Sequence, residues 1–213
     1  MIPGITILAL VSALAVSSVP RATAPRPRIV VLGDSLASGR GIGVDKAFPA
    51  ILQHKLDDEG FEYEMVNAAV SGDTSRRALR RYEGVLDSNV RILIVELGAN
   101  DGLRGVAVDQ LRENLSRIVE KAQARGITVL VCRMEALPIH GWDYTVSFHK
   151  AFDEIGRRYE VPLVPFILMN VIGNRDLMQP DHAHPNEAGA RAIAENIWPY
   201  LKPLLTQTAA HQG

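Results

Sequence analysis

The feature that most constrains the fold of this chain is a regular alternation of short apolar runs with longer amphipathic segments. The apolar runs are rich in Val, Ile and Leu and show little polar alternation: Arg28–Leu32, Tyr63–Ala68, Arg91–Leu97, Ile127–Arg133 and Pro162–Ile167. Runs of this kind are typical of strands that are buried on both faces of a parallel sheet. The pattern therefore predicts five such strands.

The segments between the runs have the spacing of amphipathic helices. Leu111, Leu115 and Ile118 form one apolar stripe, and charged residues occupy the other faces of the same segment. Gly126 then stands where a glycine commonly follows a helix, and the last helix is predicted to begin near Pro185. Because alternating strands and helices predict right-handed βαβ units, we expect an α/β fold: a three-layer α/β/α sandwich around a parallel sheet.

The N-terminal segment differs from the rest of the chain. The apolar run Ile5–Val16 is too short for a comfortable membrane span, and a Pro-Arg pair interrupts it before Ala22-Thr23-Ala24, which fits an A-x-A cleavage site. We expect a signal peptide over residues 1–24, a single domain over 25–213, and a periplasmic or secreted protein. An uncleaved membrane anchor is the alternative, since the first residues hold no Lys or Arg.

Composition narrows the classes of partner. The chain of 213 residues has a net charge of -1 with no basic block, which argues against a nucleic-acid partner. Cys132 is the single cysteine, so neither an intramolecular disulfide nor a cysteine metal cluster is possible. We expect Cys132 to be a buried residue that packs in the core. We also expect the mature protein to be a monomer that does not insert stably into a membrane after cleavage.

Candidate site residues follow the strands, because ligands of open parallel sheets bind beyond the carboxyl ends of the strands. Ser35 follows the first strand, at a predicted turn into a helix whose N-terminus would supply free N–H groups. Gly72 and Asn100 follow the second and third strands. Each of these signals is weak alone: a helix cap at Asp34 or Ser35 explains the first one better, and ordinary turn residues also explain Gly72 and Asn100.

Asp181 and His184 follow the last strand on a loop that enters a helix. A carboxylate three residues before a histidine can hold one imidazole tautomer by accepting from Nδ1–H. The alternative is a metal site formed by Asp181, His182 and His184, but the sequence shows no further cluster of suitable ligands. With Ser35, Gly72 and Asn100 at the same sheet edge, the residues provide a nucleophile, a base, an orienting group and oxyanion donors, as acyl transfer requires.

These residues carry a resemblance to a known family. Gly33-Asp34-Ser35, Gly72, Gly98-x-Asn100-Asp101 and Asp181-x-x-His184 match, in order, the four blocks of the SGNH (GDSL) hydrolases. The stretches LGDSLASGRGIG, VNAAVSGDTS, VELGANDGLRG, VPLVPF and HPNEAGA are similar to the bacterial periplasmic thioesterase, lysophospholipase and arylesterase branch. The resemblance covers Ile29 to Leu205.

The resemblance implies a five-stranded sheet in flavodoxin-like order and a serine hydrolase without metal or cofactor. It implies Ser35 as nucleophile, His184 as general base and Asp181 as its orienting group, with the Ser35 and Gly72 amides and the Asn100 side chain as oxyanion donors. The substrates would be small acyl or aryl esters, with thioesters and lysophospholipids as further candidates. A thioesterase or lysophospholipase with little simple esterase activity is the alternative.

Three other assignments fit the sequence less well. For a nucleotide-binding protein, the segment Gly39-Arg40-Gly41-Ile42-Gly43 follows a strand, but it matches neither a dinucleotide fingerprint nor a Walker loop. The Ser35 segment lacks the G-x-S-x-G of α/β-hydrolases. A non-catalytic binding module on the same fold is the third possibility, although every chemical residue is present.

The segment after the fourth strand departs from the family branch and is more aromatic. We expect a loop from Glu135 to Ser147 to cover the acyl site, with Ile139, Trp142 and Tyr144 as substrate-binding residues. Ordinary surface aromatics are the alternative.

Overall fold

A computed structural model describes residues 25–210 of the chain, and the side chains of residues 25–206. The expected signal peptide, residues 1–24, lies outside the described residues. Within them, no helix is both long enough and apolar enough to cross a membrane.

The five predicted strands form a single parallel sheet in the order β2-β1-β3-β4-β5, which is the flavodoxin-like order. The strands are β1 (Arg28–Gly33), β2 (Glu64–Asn67), β3 (Val90–Glu96), β4 (Thr128–Cys132) and β5 (Leu163–Val164). The order reverses direction between β1 and β3, so the carboxyl ends of these two strands border the crevice where such folds bind ligands. The predicted fold class is therefore confirmed.

Six α-helices cover the sheet in the described part of the chain. They are α1 (Phe48–Asp58), α2 (Ser75–Arg81), α3 (Ala99–Leu103), α4 (Val108–Gln123), α5 (Trp142–Tyr159) and α6 (Glu187–Ala210). Helix α1 packs against α6, while α4 packs against α2 and α5. Apolar side chains of β1, β3 and β4 are almost entirely buried between these layers, which explains why the strands read as continuous apolar runs.

Two predicted elements differ from the structure. No helix follows Ser35 directly: residues 35–42 form turns, and α1 begins only at Phe48. The fifth strand is shorter than the predicted Pro162–Ile167, because β5 pairs with β4 on one side over only Val131↔Leu163 and Cys132↔Val164. Cys132 is buried, as expected.

Candidate active site

The turn after β1 presents the Ser35 side chain at the carboxyl edge of the sheet. The Ser38 amide donates to the Asp34 carbonyl at 3.0 Å, closing a single helical turn around Ser35. The Asp34 side chain is fully buried beneath it, and its Oδ1 accepts from the Leu36 amide at 3.1 Å. Ser35 itself remains half-buried. The predicted helix N-terminus is therefore replaced by a tight turn that a buried carboxylate holds in place.

The loop before α6 joins a carboxylate to a histidine. Asp181 Oδ1 accepts from the Ala183 and His184 amides, each at 3.0 Å, and Asp181 Oδ2 lies 2.6 Å from His184 Nδ1. His184 Nε2 lies 3.1 Å from Ser35 Oγ. The three side chains therefore form a continuous hydrogen-bonded chain, and ionised Asp181 requires the His184 tautomer with hydrogen on Nδ1.

The pKa of Asp181 is held well below its usual range. The largest cause is the hydrogen bond from His184, followed by the two backbone amides. A carboxylate in this arrangement stays negatively charged and stabilises an imidazolium ion, which is the form that a general base adopts after it takes a proton.

Gln179 connects the loop of the histidine to the loop of the serine. Its Nε2 donates to the carbonyls of Arg40 at 2.7 Å and of Pro185 at 2.8 Å, and its backbone amide donates to the His184 carbonyl. Gly41 makes this contact possible, because a Cβ there would lie 2.1 Å from Gln179 Oε1. Gln179 thereby fixes the separation of the two loops.

Three donors converge on the same edge. Among the described residues, neither the Ser35 amide nor the Gly72 amide donates a hydrogen bond. Gly72 has φ +81°, a conformation that favours glycine. Asn100 Nδ2 donates to Asp34 Oδ2 at 2.9 Å, which leaves its second N–H available. An oxyanion beside Ser35 would need donors of this kind.

A buried network fixes the backbone that carries Asn100. The Ser75 amide donates to Asp101 Oδ2 at 2.8 Å, and Ser75 Oγ donates to Asp101 Oδ1 at 2.6 Å. Asn114 Nδ2 donates to Ser75 Oγ at 3.0 Å. The network ties α2, α3 and α4 together, so the Asn100 side chain begins from a fixed point.

The comparisons with known proteins agree with this geometry. The GDSL-like lipase/acylhydrolase family model matches residues 31–192. The chain belongs to this family. The SGNH (GDSL) resemblance drawn from the four motifs is therefore confirmed.

The relatives of this family member are named for related activities. It is 39% identical over 178 residues to esterase TesA of Pseudomonas aeruginosa, covering 83% of this chain and 89% of the relative. It is 33% identical to thioesterase 1/protease 1/lysophospholipase L1 of Escherichia coli strain K12, covering 83% and 84%. The crystal structure of the psychrotrophic esterase EstA from Pseudoalteromonas sp., inhibited by monoethylphosphonate, superposes with a TM-score of 0.80 at 32% identity, covering 84% of this chain and 99% of that chain.

The segment after β4 differs from its predicted form in this family member. Residues Pro138–His140 form a 3-10 turn, and helix α5 begins at Trp142, so the second half of the predicted loop Glu135–Ser147 is helical. The apolar residues after position 142 have helical spacing and form a helix, whereas Pro138 and Gly141 lie before it. Gly141, with φ +93°, forms the entry to the helix.

The three predicted substrate-binding residues have different surroundings. Ile139 and Trp142 are 62% and 73% exposed. Tyr144 is half-buried, and its hydroxyl donates to the carbonyls of Val106 at 2.9 Å and Asp101 at 3.4 Å. Because that hydroxyl already donates its proton to the protein backbone, Tyr144 has its ring and an acceptor oxygen left for a substrate. The substrate roles of all three stay predictions.

Sequence reasoning missed Glu96, which ends β3 and lies fully buried behind Asp34. A signal was present, because Glu96 interrupts an otherwise apolar run just before the Gly98–Asn100 motif. A charged residue in a strand that is buried on both faces is costly unless it has a partner.

No group of three or more His, Cys, Asp or Glu side chains in residues 25–206 is arranged to hold a metal ion. His182, which the sequence offered as a ligand beside Asp181 and His184, is exposed and adopts φ +56°.

Proposed function

We propose that this protein hydrolyses carboxylic esters by transferring the acyl group to Ser35. The class of enzyme, a carboxylic ester hydrolase, follows from family membership. The observation that supports the residue roles is the chain of contacts from Ser35 Oγ through the His184 ring to Asp181 Oδ2. This is the arrangement that activates a serine hydroxyl.

In the first half of the reaction, Ser35 Oγ attacks the ester carbonyl carbon while His184 Nε2 takes the hydroxyl proton. The carbonyl oxygen becomes an oxyanion and accepts from the Ser35 amide, the Gly72 amide and Asn100 Nδ2. Each such donor contributes on the order of 3 kcal/mol to the transition state. His184 then gives its proton to the leaving alcohol oxygen as the ester C–O bond breaks.

In the second half, water attacks the acyl-enzyme carbonyl and His184 takes a proton from it. The Ser35 oxygen leaves and recovers that proton, which releases the carboxylic acid. Asp181 stays ionised throughout and keeps the ring in one orientation, in line with its lowered pKa.

The proposed substrates are small acyl or aryl esters, with thioesters and lysophospholipids as further candidates because relatives are named for them. The exposed side chains of Ile139 and Trp142 are the proposed contacts for the acyl chain. We also propose that the protein is exported and acts as a monomer without a metal or cofactor.

The test is labelling by a fluorophosphonate together with hydrolysis of p-nitrophenyl esters. Wild-type protein should be labelled once, on Ser35, and Ser35→Ala should lose labelling and several orders of magnitude in kcat. Ser38→Ala is the matched control, since Ser38 lies on the same turn but its hydroxyl faces the Ser35 carbonyl. Turnover by a folded Ser35→Ala protein would refute the proposal. Turnover that EDTA abolishes and a divalent ion restores would refute the metal-free mechanism.

A further inference from the structure

Two carboxyl groups are buried together directly behind the nucleophile. Asp34 and Glu96 are both fully inaccessible to solvent, and the Asp34 amide donates to Glu96 Oε2 at 3.0 Å. Gly33 leaves the space for this contact, because a Cβ there would lie 2.5 Å from Glu96 Oε2. The hydrolysis steps described above use neither carboxyl group as an acid or a base.

Asp34 connects this pair to the oxyanion donors. Its Oδ1 accepts from the Leu36 amide and its Oδ2 accepts from Asn100 Nδ2, so both oxygens act as acceptors. An ionised carboxylate is the form that accepts in this way. Holding one N–H of the planar Asn100 amide fixes the direction of the other, which is the donor that the oxyanion needs.

Glu96 has the opposite surroundings. Its Oε1 is buried and has no hydrogen-bond partner among the described residues, which costs a charged carboxylate more free energy than a neutral carboxyl group. The neighbouring Cys132 thiol is buried and adds no positive charge. The proximity of the two carboxyl groups lowers the pKa of Asp34 and raises that of Glu96.

Burial and the charge of the neighbouring carboxyl group shift the pKa values of Asp34 and Glu96 by different amounts. Burial is the largest cause in both, and it raises the pKa of Asp34 to about 6 and that of Glu96 well above its usual range. The negative charge of Asp34 raises the pKa of Glu96 further, and the hydrogen bonds from the Asp34 and Ala37 amides, which lower it, do not reverse that rise. Hydrogen bonds from Leu36 and Asn100, and the charge of His184, favour ionised Asp34. Since two adjacent buried carboxylates cannot both ionise readily, the proton belongs to Glu96.

We propose that Glu96 is a positioning residue that works in its neutral, protonated form: it leaves a single negative charge on Asp34, and Asp34 holds Asn100 as an oxyanion donor. The proposal rests on the proposed function, because it assigns Asn100 to the oxyanion. A second charge on Glu96 would lie close to the developing oxyanion and oppose it. Neutral Glu96 avoids that repulsion and still accepts from the Asp34 amide.

The test compares two substitutions of Glu96 that differ in polarity. Glu96→Gln imitates the neutral acid, so its kcat should stay within about threefold of wild type. The apolar substitution Glu96→Leu should lower kcat about 30-fold with little change in KM. The loss expected for Glu96→Leu is smaller than the roughly 10²- to 10³-fold loss that follows removal of an oxyanion donor, because Asn100 would be misplaced but still present. Cys132→Ala controls for repacking of the same region, and thermal melts establish that each variant is folded.

A double-mutant cycle separates positioning from general structural damage. In an Asn100→Ala background, Glu96→Leu should have almost no further effect on kcat, because the donor that it misplaces is already absent. A Glu96→Leu loss that persists in full in that background would overturn the proposal. So would a Glu96→Gln variant as impaired as Glu96→Leu, since that result requires an ionised Glu96.

Infrared spectroscopy tests the protonation state even if Glu96→Leu does not fold. Wild-type protein at neutral pH should show the carbonyl band of a buried protonated carboxyl group, and Glu96→Gln should lack it. A wild-type spectrum without that band would overturn the proposal. Fluorophosphonate labelling of wild-type protein is run first, and failure to label would count against the proposed function. If the protein is labelled but the Glu96 variants or the infrared spectrum give the contrary results, only the proposal for Glu96 is overturned.

Discussion

At the scale of single residues, Asp181 has two separate structural roles. One carboxylate oxygen accepts from two backbone amides and closes the loop, and the other holds the His184 ring. Loss of the charge on Asp181 should therefore affect both the proposed general base, His184, and the local stability of the loop.

We expect Asp181→Asn to lower kcat by about 10³- to 10⁴-fold, because an amide can stabilise the wrong ring tautomer and cannot balance an imidazolium charge. Initial rates on p-nitrophenyl acetate measure the effect. Asp176→Asn is the matched control, since Asp176 is an exposed residue before the same helix. A loss below tenfold would remove Asp181 from the proposed triad.

The stability of the same variant should depend on pH in one direction. Because the folded-state pKa of Asp181 is lowered, its contribution to the free energy of unfolding is fully present above the unfolded value of about 3.9 and declines as the pH falls toward the folded value. The difference in Tm between wild type and Asp181→Asn should therefore be constant near neutrality and shrink below about pH 4. Melting curves from pH 7 to pH 3 decide this. A difference that grows on acidification would contradict the assigned sign.

At the scale of elements, α5 begins at Trp142, in the connection that leaves the carboxyl end of β4, and the carboxyl ends of the parallel strands share the edge that carries Ser35. Trp142 begins the helix, directly after the Gly141 entry, and is 73% exposed. Val146 follows one turn later on the same helical face and is 48% exposed. The helix therefore presents two exposed apolar side chains at different distances from the edge.

We expect Trp142→Ala to lower kcat/KM for medium-chain esters and to leave acetate esters nearly unchanged. Only longer chains reach the helix, and each methylene that Trp142 buries is worth about 0.8 kcal/mol. Rates on p-nitrophenyl acetate through octanoate measure the trend, with Val146→Ala as the control one turn away. Equal losses on acetate and octanoate would instead mean that Trp142 supports the fold.

The elements also show where sequence reasoning succeeds and fails. The strands were predicted to within a few residues, because strands buried on both faces leave a simple apolar signature. The turn after β1 was predicted to lead directly into a helix, whereas the buried Asp34 carboxylate closes a tight turn by accepting from the Leu36 amide and from Asn100 Nδ2. The prediction of a loop over Glu135–Ser147 was wrong in its second half, because Pro138 and Gly141 obscured the helical spacing that begins at Trp142.

At the scale of the candidate site, the positions of residues after the strands predicted which side chains meet at the sheet edge. They did not predict the residues that support those side chains from behind. Ser35, Asp181 and His184 form the expected chain of contacts, while Glu96 and Gln179 were absent from the prediction. Both act through contacts with residues far away in the sequence, such as Glu96 with Asp34, and only the three-dimensional structure reveals them.

At the scale of the whole molecule, the described domain spans residues 25–210, and the predicted signal peptide precedes it. We expect the mature protein to begin near Pro25 when it is expressed with its own N-terminus, because Ala22-Thr23-Ala24 fits a signal-peptidase site. Intact mass spectrometry measures the new terminus. Ala24→Arg should block cleavage, whereas Thr23→Gln, at the tolerant middle position, should not. A full-length mass for the unaltered chain would contradict the prediction.

The contact between Ser35 and His184 spans 149 residues of sequence, while Asp181 and His184 meet within one loop. Under the proposed roles, the nucleophile is therefore synthesised long before its base. A nascent chain that stops short of His184 would contain a serine with no base to activate it, so ester hydrolysis should begin only after the loop of His184 has packed beside Ser35. An order of synthesis of this kind would keep the enzyme inactive until that loop is in place.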